Sequence, residues 1–298
     1  MSKKLLLGVI IILLITNIAT LLIWRNEGVN VGDGRKLSSN DEVAIIGNDD
    51  ISFAQWSDSL RNNYGKKHLR SMIDQAVVQQ LAADKGLKIS DKVIAREIAM
   101  LTTMQGVTSA STYEKLEKQW EEDITYRYQL EMLLTEGTPI PEQEIRNHYN
   151  TYGDQYNFTS SMQISHIVVD NMETANKVYQ ELESGASFKL LAREYSIDES
   201  SKAEGGYLGF IYTTSQFFPN GYAEVAENIE EHSYSKPFVA DDGVVILYLH
   251  RKLPSITFTY EEMKPYIKSE LALHKQNQSL DATPLWEEME IDWLYGEE

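Results

Sequence analysis

The strongest constraint on the fold is an apolar segment of twenty residues, from Leu5 to Trp24, that contains no charged side chain. With a rise of about 1.5 Å per residue, a helix of this length spans a hydrocarbon core about 30 Å thick. A cleavable signal peptide is the alternative, but its apolar region is usually about 7 to 15 residues long. The sequence therefore favours an uncleaved single-pass anchor in the cell membrane, with the bulk of the chain outside the cytoplasm.

Charge and cysteine content exclude several classes of function. The chain has 27 Lys and Arg against 45 Asp and Glu, which gives a net charge of −18. Such a chain has no spare cationic surface for a phosphate backbone, so we expect no nucleic-acid partner. The absence of cysteine excludes disulfides, thiolate metal sites and cysteine nucleophiles. The histidines lack ligand spacing, so we predict no metal site and no cofactor.

Changes in composition divide the chain into five parts. Residues 25–40 are rich in Gly, Ser and Asn, as in a flexible spacer. Long helical patterns follow, and after Ser160 they give way to strands and short helices. The predicted parts are a cytoplasmic stub and anchor (1–24), a linker (25–40), a helical domain (41–158), a mixed domain (160–252), and a C-terminal helix with an acidic tail (255–298) that packs on the helical domain.

Helix starts and one hairpin can be predicted from local signals. A helix is expected near Ser52, and capping-box spacing places further helix starts at Ser111 and at Thr259. Pro265 predicts a kink or a late start in the last of these helices. The Asp-Asp-Gly sequence at 241–243 predicts a hairpin between two closing strands.

Five ordered motifs in the mixed domain carry a resemblance to the parvulin peptidyl-prolyl isomerases. One of them alone would be weak, but their order and spacing over about ninety residues are specific. The motifs are Ile164-Ser165-His166-Ile167-Val168, Gly185-Ala186-Ser187-Phe188 with Leu191-Ala192, Tyr195-Ser196-Ile197-Asp198, Gly205-Gly206-Tyr207-Leu208-Gly209-Phe210, and Ser235-Lys236-Pro237-Phe238.

The resemblance implies an α+β protein in which a parvulin domain, an FKBP-like α/β sandwich, is inserted into an all-helical chaperone-like domain. The flanking helices resemble those of the PrsA-type foldases and SurA-type chaperones. The implied function is an anchored extracytoplasmic isomerase that assists the folding of nascent or unfolded secreted polypeptides with X–Pro bonds. Carried over by position, the implied catalytic residues are His166 and Asp198, and the implied proline-pocket residues are Leu208, Phe217, Phe218 and Tyr222.

The sequence departs from the family pattern at two positions. Where the family usually has a Thr and a second His, this chain has Ala240 and Val245, which cannot hydrogen-bond to the first imidazole. Because that half of the network is absent, we expect His166 to lose a partner that fixes its orientation. A catalytically weak holdase is therefore the alternative function, and a tethered adapter for one folded partner is a third.

Structural explanations for the same residues also stay open. His166 could be a core histidine, Asp198 a turn residue that bonds its own backbone, and the aromatic pocket residues plain core. A homodimer is compatible with the sequence, which does not fix the oligomeric state.

Overall fold

The computed structural model describes residues 29–31, 35–216, 218–277 and 279–296. The chain forms two compact units, one with residues up to Asp74 and from Ile291 onward, and one from Gln75 to Glu290. The predicted anchor at 5–24 lies outside the described residues. No helix in the described ranges is both long and apolar enough to cross a membrane.

The first unit contains two small antiparallel hairpins and a short helix. In the stretch predicted to be a flexible linker, residues 29–31 and 35–37 pair as strands, and β-branched residues such as Val29 and Val31 favour extended backbone. A capping box at Ser52 begins the helix, as predicted. The elements are β1 (Val29–Val31), β2 (Arg35–Leu37), β3 (Glu42–Ile46), β4 (Asp49–Ser52), α1 (Phe53–Leu60) and a π-helical segment (Arg61–Gly65) that leads into α2 (Lys66–Asp84).

Five helices form one core in the second unit or lead into it. The last of them packs against two of the earlier helices, and its Tyr260 hydroxyl donates to Glu142 Oε1 at 2.6 Å. The Tyr266 hydroxyl accepts from the backbone N–H of Ser90 at 2.9 Å. The helices are α2, α3 (Asp91–Thr103), α4 (Ala110–Thr135), α5 (Glu142–Tyr152) and α10 (Tyr260–Gln276).

The predicted start of α4 was wrong by two residues. The N-cap is Ser109, whose hydroxyl accepts from the backbone N–H of Thr112, and Ser111 lies inside the first turn. Both serines precede the same apolar pattern, and Ser109 has the extended backbone that an N-cap requires.

A five-stranded antiparallel sheet forms the rest of the second unit. The order is β6–β5–β9–β7, and β8 also pairs with β9 across the predicted hairpin, where Ala240 lies opposite Gly243. The strands are β5 (Ser161–Val169), β6 (Tyr207–Tyr212), β7 (Ser233–Tyr234), β8 (Phe238–Ala240) and β9 (Gly243–Leu253), and the helices are α6 (Met172–Glu183), α7 (Phe188–Tyr195), α8 (Glu199–Lys202) and α9 (Tyr222–Glu227).

The two faces of this sheet are covered by different helices. Successive side chains along a strand point to opposite faces. Ile164 and Val168 of β5 therefore pack in a cluster with α9, whereas Ile167 and Val169 pack with α6 and α7. All nine residues of β5 are buried, as expected for a central strand covered on both sides.

The predicted boundaries at 158–160 and 252–255 lie inside the second unit. There Phe158 and Ile256 form an isolated antiparallel bridge next to the start of β5 and the end of β9. The chain thus passes from the helices to the sheet at Phe158, and it passes from the sheet back to the helices at Ile256.

Candidate active site

His166 lies in the middle of β5 on the face covered by α9, and it is 7% exposed. Its backbone N–H donates to the carbonyl of Gly206 at 2.8 Å. Gly206 has φ of 78°, and a Cβ at this position would lie 1.9 Å from the carbonyl oxygen of His166. Only glycine allows this close approach of the two backbones.

Asp198 is brought to His166 by the turn between α7 and α8, where it is the N-cap of α8. Its Oδ2 lies 2.7 Å from Nε2 of His166 and 2.5 Å from the hydroxyl of Ser201. Its Oδ1 accepts from the backbone N–H and the hydroxyl of Ser200, at 3.1 and 2.6 Å. Asp198 is thus both the turn residue and the partner of the imidazole.

The hydrogen bonds of Asp198 keep its carboxylate ionised. Burial raises the pKa of Asp198, but the hydrogen bonds from Ser200, Ser201 and His166 outweigh burial and lower the pKa well below its ordinary value. The Asp198 side chain is 24% exposed, so the charge is partly shielded from water.

Tyr222 holds the other nitrogen of the imidazole. Its hydroxyl lies 2.8 Å from Nδ1 of His166, and the two rings meet edge to face with centroids 5.9 Å apart. Tyr222 is 2% exposed at the start of α9. Burial, followed by the charges of Asp242 and Asp198, raises the pKa of Tyr222, so the phenol stays protonated.

These partners determine the hydrogen position on a neutral imidazole. An ionised carboxylate only accepts, so Nε2–H of His166 donates to Asp198. Nδ1 of His166 then accepts the hydrogen of the Tyr222 hydroxyl. The ring is therefore fixed in one tautomer and one orientation by residues from two separate helices.

Three of the predicted proline-pocket residues, Leu208, Phe218 and Tyr222, lie beside this network in one apolar cluster, which also includes Phe238. Leu208 and Phe238 are half-buried and keep accessible surface, whereas Phe218 is 8% exposed. Phe217 lies outside the described residues. Tyr222 belongs to the same cluster, but its ring is buried and its polar end is used by His166.

Ala240 and Val245 make no polar contact with the imidazole of His166, because both side chains are apolar. Val245 is fully buried and lies opposite Val168 in the sheet, and Ala240 closes the hairpin. The expectation that the imidazole loses a fixing partner needs correction, because the Tyr222 hydroxyl provides one at Nδ1.

Two contributions to the site were not recognised in the sequence. Ser201, which is 3% exposed, contacts both Nε2 of His166 at 3.0 Å and the carboxylate of Asp198. Tyr222 was assigned only to the pocket, although a buried phenol usually requires a hydrogen-bond partner. In the described part of the chain, no group of three His, Asp or Glu side chains is placed to hold a metal ion.

Comparison with known proteins identifies the family of this chain. A sequence model of the PPIC-type PPIase (rotamase) domain matches residues 169–251, which include Asp198 and begin just after His166. The "Putative peptidyl-prolyl cis-trans isomerase YacD" of Bacillus subtilis (strain 168) is 34% identical over 264 residues, which are 87% of this chain and 88% of that protein.

A foldase and a solved structure are also similar over most of the chain. The foldase protein PrsA of Halalkalibacterium halodurans is 30% identical over 247 residues, which are 78% of this chain and 71% of that protein. The crystal structure of PrsA from Bacillus cereus is 24% identical, covers 86% of this chain and 95% of that chain, and has a TM-score of 0.34. The identity and coverage of the sequence relatives show that this chain belongs to the family of PPIC-type peptidyl-prolyl cis-trans isomerases that includes the PrsA foldases.

Proposed function

We propose that this protein is a membrane-anchored extracytoplasmic foldase that accelerates X–Pro isomerisation in unfolded or nascent secreted polypeptides. The single observation that carries the proposal is the network around His166, which joins Asp198 and Tyr222 beside an apolar cluster in a PPIC-type domain. The apolar segment at 5–24 supports the anchor.

The reaction requires rotation about a bond and no covalent intermediate. The barrier is about 18 to 20 kcal/mol, because the amide loses resonance as it twists. A site lowers this barrier when it binds the twisted amide better than the planar one. Leu208 and Phe238 offer apolar surface to the proline ring, and this contact removes water from the neighbouring carbonyl.

The role proposed for His166 and Asp198 is to form a rigid polar wall beside that apolar surface. Because the imidazole is bound at both nitrogens, it does not reorganise when the amide twists. Catalysis then depends on the fixed position of the ring rather than on proton transfer.

A refolding assay limited by proline isomerisation tests the proposal. The full-length chain should accelerate the slow phase, and His166→Ala should reduce kcat/KM at least about tenfold. Asp198→Asn is a second variant in case His166→Ala fails to fold, and His68→Ala, at an exposed position of α2, is the control. Equal rates with wild type and with no protein would exclude the isomerase.

A holdase is the second candidate, and exposed apolar side chains in the first unit favour it. Ile45, Ile46 and Tyr64 are 68%, 61% and 64% exposed. Such side chains can bind apolar segments of unfolded clients. This function predicts that suppression of client aggregation survives His166→Ala but is weakened by Ile45→Ser with Ile46→Ser.

A further inference from the structure

The face of the sheet opposite His166 carries a cavity, beside the middle of β5 and β9. The cavity encloses about 570 Å³, within the range of typical ligand pockets. Its walls include the rings of Phe188, Tyr207, Tyr248 and His250. Ser165 lies at its base, immediately before His166 in the sequence but on the other face of the strand.

The aromatic walls are already arranged by contacts with one another. The rings of Tyr248 and His250 have centroids 4.6 Å apart, and Phe188 lies 5.3 Å from Tyr248. Tyr207 meets His250 edge to face at 5.8 Å. The hydroxyl of Ser165 lies 2.7 Å from Nε2 of His250, which fixes the imidazole in place.

The cavity is uncharged overall. Burial, followed by the charge of His232, lowers the pKa of His250 to about 4, so its imidazole is neutral near pH 7. One cation, Lys189, and one anion, Glu204, line the cavity, and neither forms an ion pair within the described ranges. Opposite charges at the same cavity cancel, so it favours neither a cationic nor an anionic occupant.

Hydrogen-bonding capacity also remains for a peptide. Among the described residues, the hydroxyl of Tyr248 has no hydrogen-bond partner. Aromatic rings attract another ring edge to face, in addition to the gain from burying its apolar area. Neutral aromatic walls with a free hydroxyl therefore suit an aromatic side chain within an extended backbone.

We propose that this cavity binds an aromatic side chain of an unfolded client, and thereby holds the client while a nearby X–Pro bond occupies the His166 site. The inference rests on the proposed function, because the occupant is a segment of a client. The chain entering β6 connects the two sites, since Gly205 and Tyr207 line the cavity whereas Leu208 lies in the cluster beside His166. β6 is an edge strand, so an extended client that crosses this edge reaches both sites.

The test uses an unstructured, proline-free Gly/Ser peptide with a single central Phe, added to the full-length chain. The imidazole NMR signals of His250 and His166 report on the two sites separately. The Phe peptide should shift the His250 signals saturably, and matched peptides with Ala or Lys should bind at least about tenfold more weakly. A Lys peptide that binds as tightly as the Phe peptide, or a His250 signal that does not respond, would overturn the inference.

Two substitutions in one loop provide a matched pair. Val107 lines the cavity and is 57% exposed, so Val107→Trp should fill the mouth and weaken binding of the Phe peptide at least about fivefold. Met104, 77% exposed, precedes it without lining the cavity, so Met104→Trp should leave the affinity unchanged. Equal affinity in both variants would contradict the assignment of the site.

The outcomes separate this inference from the proposed function. If the chain accelerates proline-limited refolding but the Phe peptide does not shift the His250 signals, the peptide-binding cavity is disproved and the proposed function stands. A His250 response without any isomerase activity would remove the proposed function and leave a peptide-binding cavity.

Discussion

At the scale of single residues, the imidazole of His166 is bound at both nitrogens before any client arrives. The carboxylate of Asp198 comes from the N-cap of α8, and the hydroxyl of Tyr222 comes from the first turn of α9. Because Asp198 accepts at Nε2 and Tyr222 donates at Nδ1, a neutral imidazole carries its hydrogen on Nε2. The loss of either partner should therefore change the orientation of the imidazole more than it changes the stability of the fold.

Removing the Tyr222 hydroxyl tests this arrangement. In Tyr222→Phe the ring still fills its buried position, but Nδ1 of His166 loses its donor, so we expect a loss of about 1–3 kcal/mol in the free energy of unfolding. We also expect kcat/KM to fall roughly tenfold and the nitrogen chemical shifts of the imidazole to indicate mixed tautomers.

Tyr234→Phe is the matched control. The hydroxyl of Tyr234 donates to Glu183 at 2.9 Å in an exposed position, so its removal should change the free energy of unfolding by less than about 0.5 kcal/mol. Identical tautomer signals in wild type and Tyr222→Phe would show that the phenol does not fix the ring.

The ionised state of Asp198 predicts a pH dependence of stability. A carboxyl group whose pKa is lowered by folding contributes stability above its unfolded pKa, and loses it as the pH falls toward its folded pKa. Wild type should therefore exceed Asp198→Asn in free energy of unfolding above about pH 5. The difference should shrink below the ordinary value of 3.8.

Denaturant unfolding across this pH range measures the effect, with Glu199→Gln as control. The side chain of Glu199 is 83% exposed and adjacent in sequence. A difference between wild type and Asp198→Asn that grows as the pH falls would contradict the predicted direction.

How far the sequence predicts this site depends on distance along the chain. His166 and Asp198 stand in short motifs, so a family resemblance suffices to predict them as site residues. The contact of Tyr222 with His166 joins residues 56 positions apart and depends on how α9 lies on the sheet. The spacing of residues in the sequence does not predict this contact. A tyrosine at an apolar position does, however, indicate that its buried hydroxyl needs a hydrogen-bond partner.

At the scale of elements, local signals predict the starts of several helices and the closing hairpin. The capping boxes at Ser52 and Thr259 begin α1 and α10 as predicted. Of the kink or late start predicted from Pro265, the late start does not occur, because α10 begins at its cap and continues through the proline to Gln276. Burial of Met263, Tyr266 and Ile267 against the other helices offsets the missing hydrogen bond.

The close approach of β5 to the start of β6 can be tested with glycine substitutions. Gly206→Ala would place a methyl group against the carbonyl of His166 in addition to straining a φ of 78°, so we expect a loss of at least about 3 kcal/mol. Gly209 has φ of 84° but no atom within 4 Å of its would-be Cβ, so Gly209→Ala should cost only about 1–2 kcal/mol. Equal losses in denaturant unfolding would mean that strain alone explains Gly206.

Glu131 gives α4 a pH-dependent contribution of the opposite sign. It is 9% exposed, and burial, together with the charges of Glu270 and Glu97 and against the pull of Arg127, raises its pKa to about 7. Because folding favours the protonated acid, stability from this group is present at low pH and is lost as the pH rises from about 4.5 through 7.

Glu131→Gln should therefore stabilise the protein at pH 8 by about 2 kcal/mol and have little effect at pH 4. Thermal unfolding at the two pH values measures this difference. Glu122→Gln, an exposed change on the same helix, controls for loss of charge. A gain that is equal at both pH values would show that folding does not raise the pKa of Glu131.

At the scale of the whole molecule, the net charge of −18 acts on every client that approaches. Long-range attraction raises the association rate of cationic chains and is screened by salt, because the Debye length shortens to about 3 Å at 1 M. A cationic unfolded client should therefore bind faster than an anionic client of equal length and apolar content. This property is independent of the site chemistry and depends only on the summed charge.

Stopped-flow binding of two such clients to the full-length chain checks the effect. Between about 0.02 and 0.5 M NaCl, the association rate constant of the cationic client should fall on the order of tenfold, and that of the anionic client should rise. The dissociation rate constants should change less, because apolar contacts hold both clients once bound. The same salt dependence for both clients would show that local contacts, and not the overall negative charge, determine which chains this foldase encounters first.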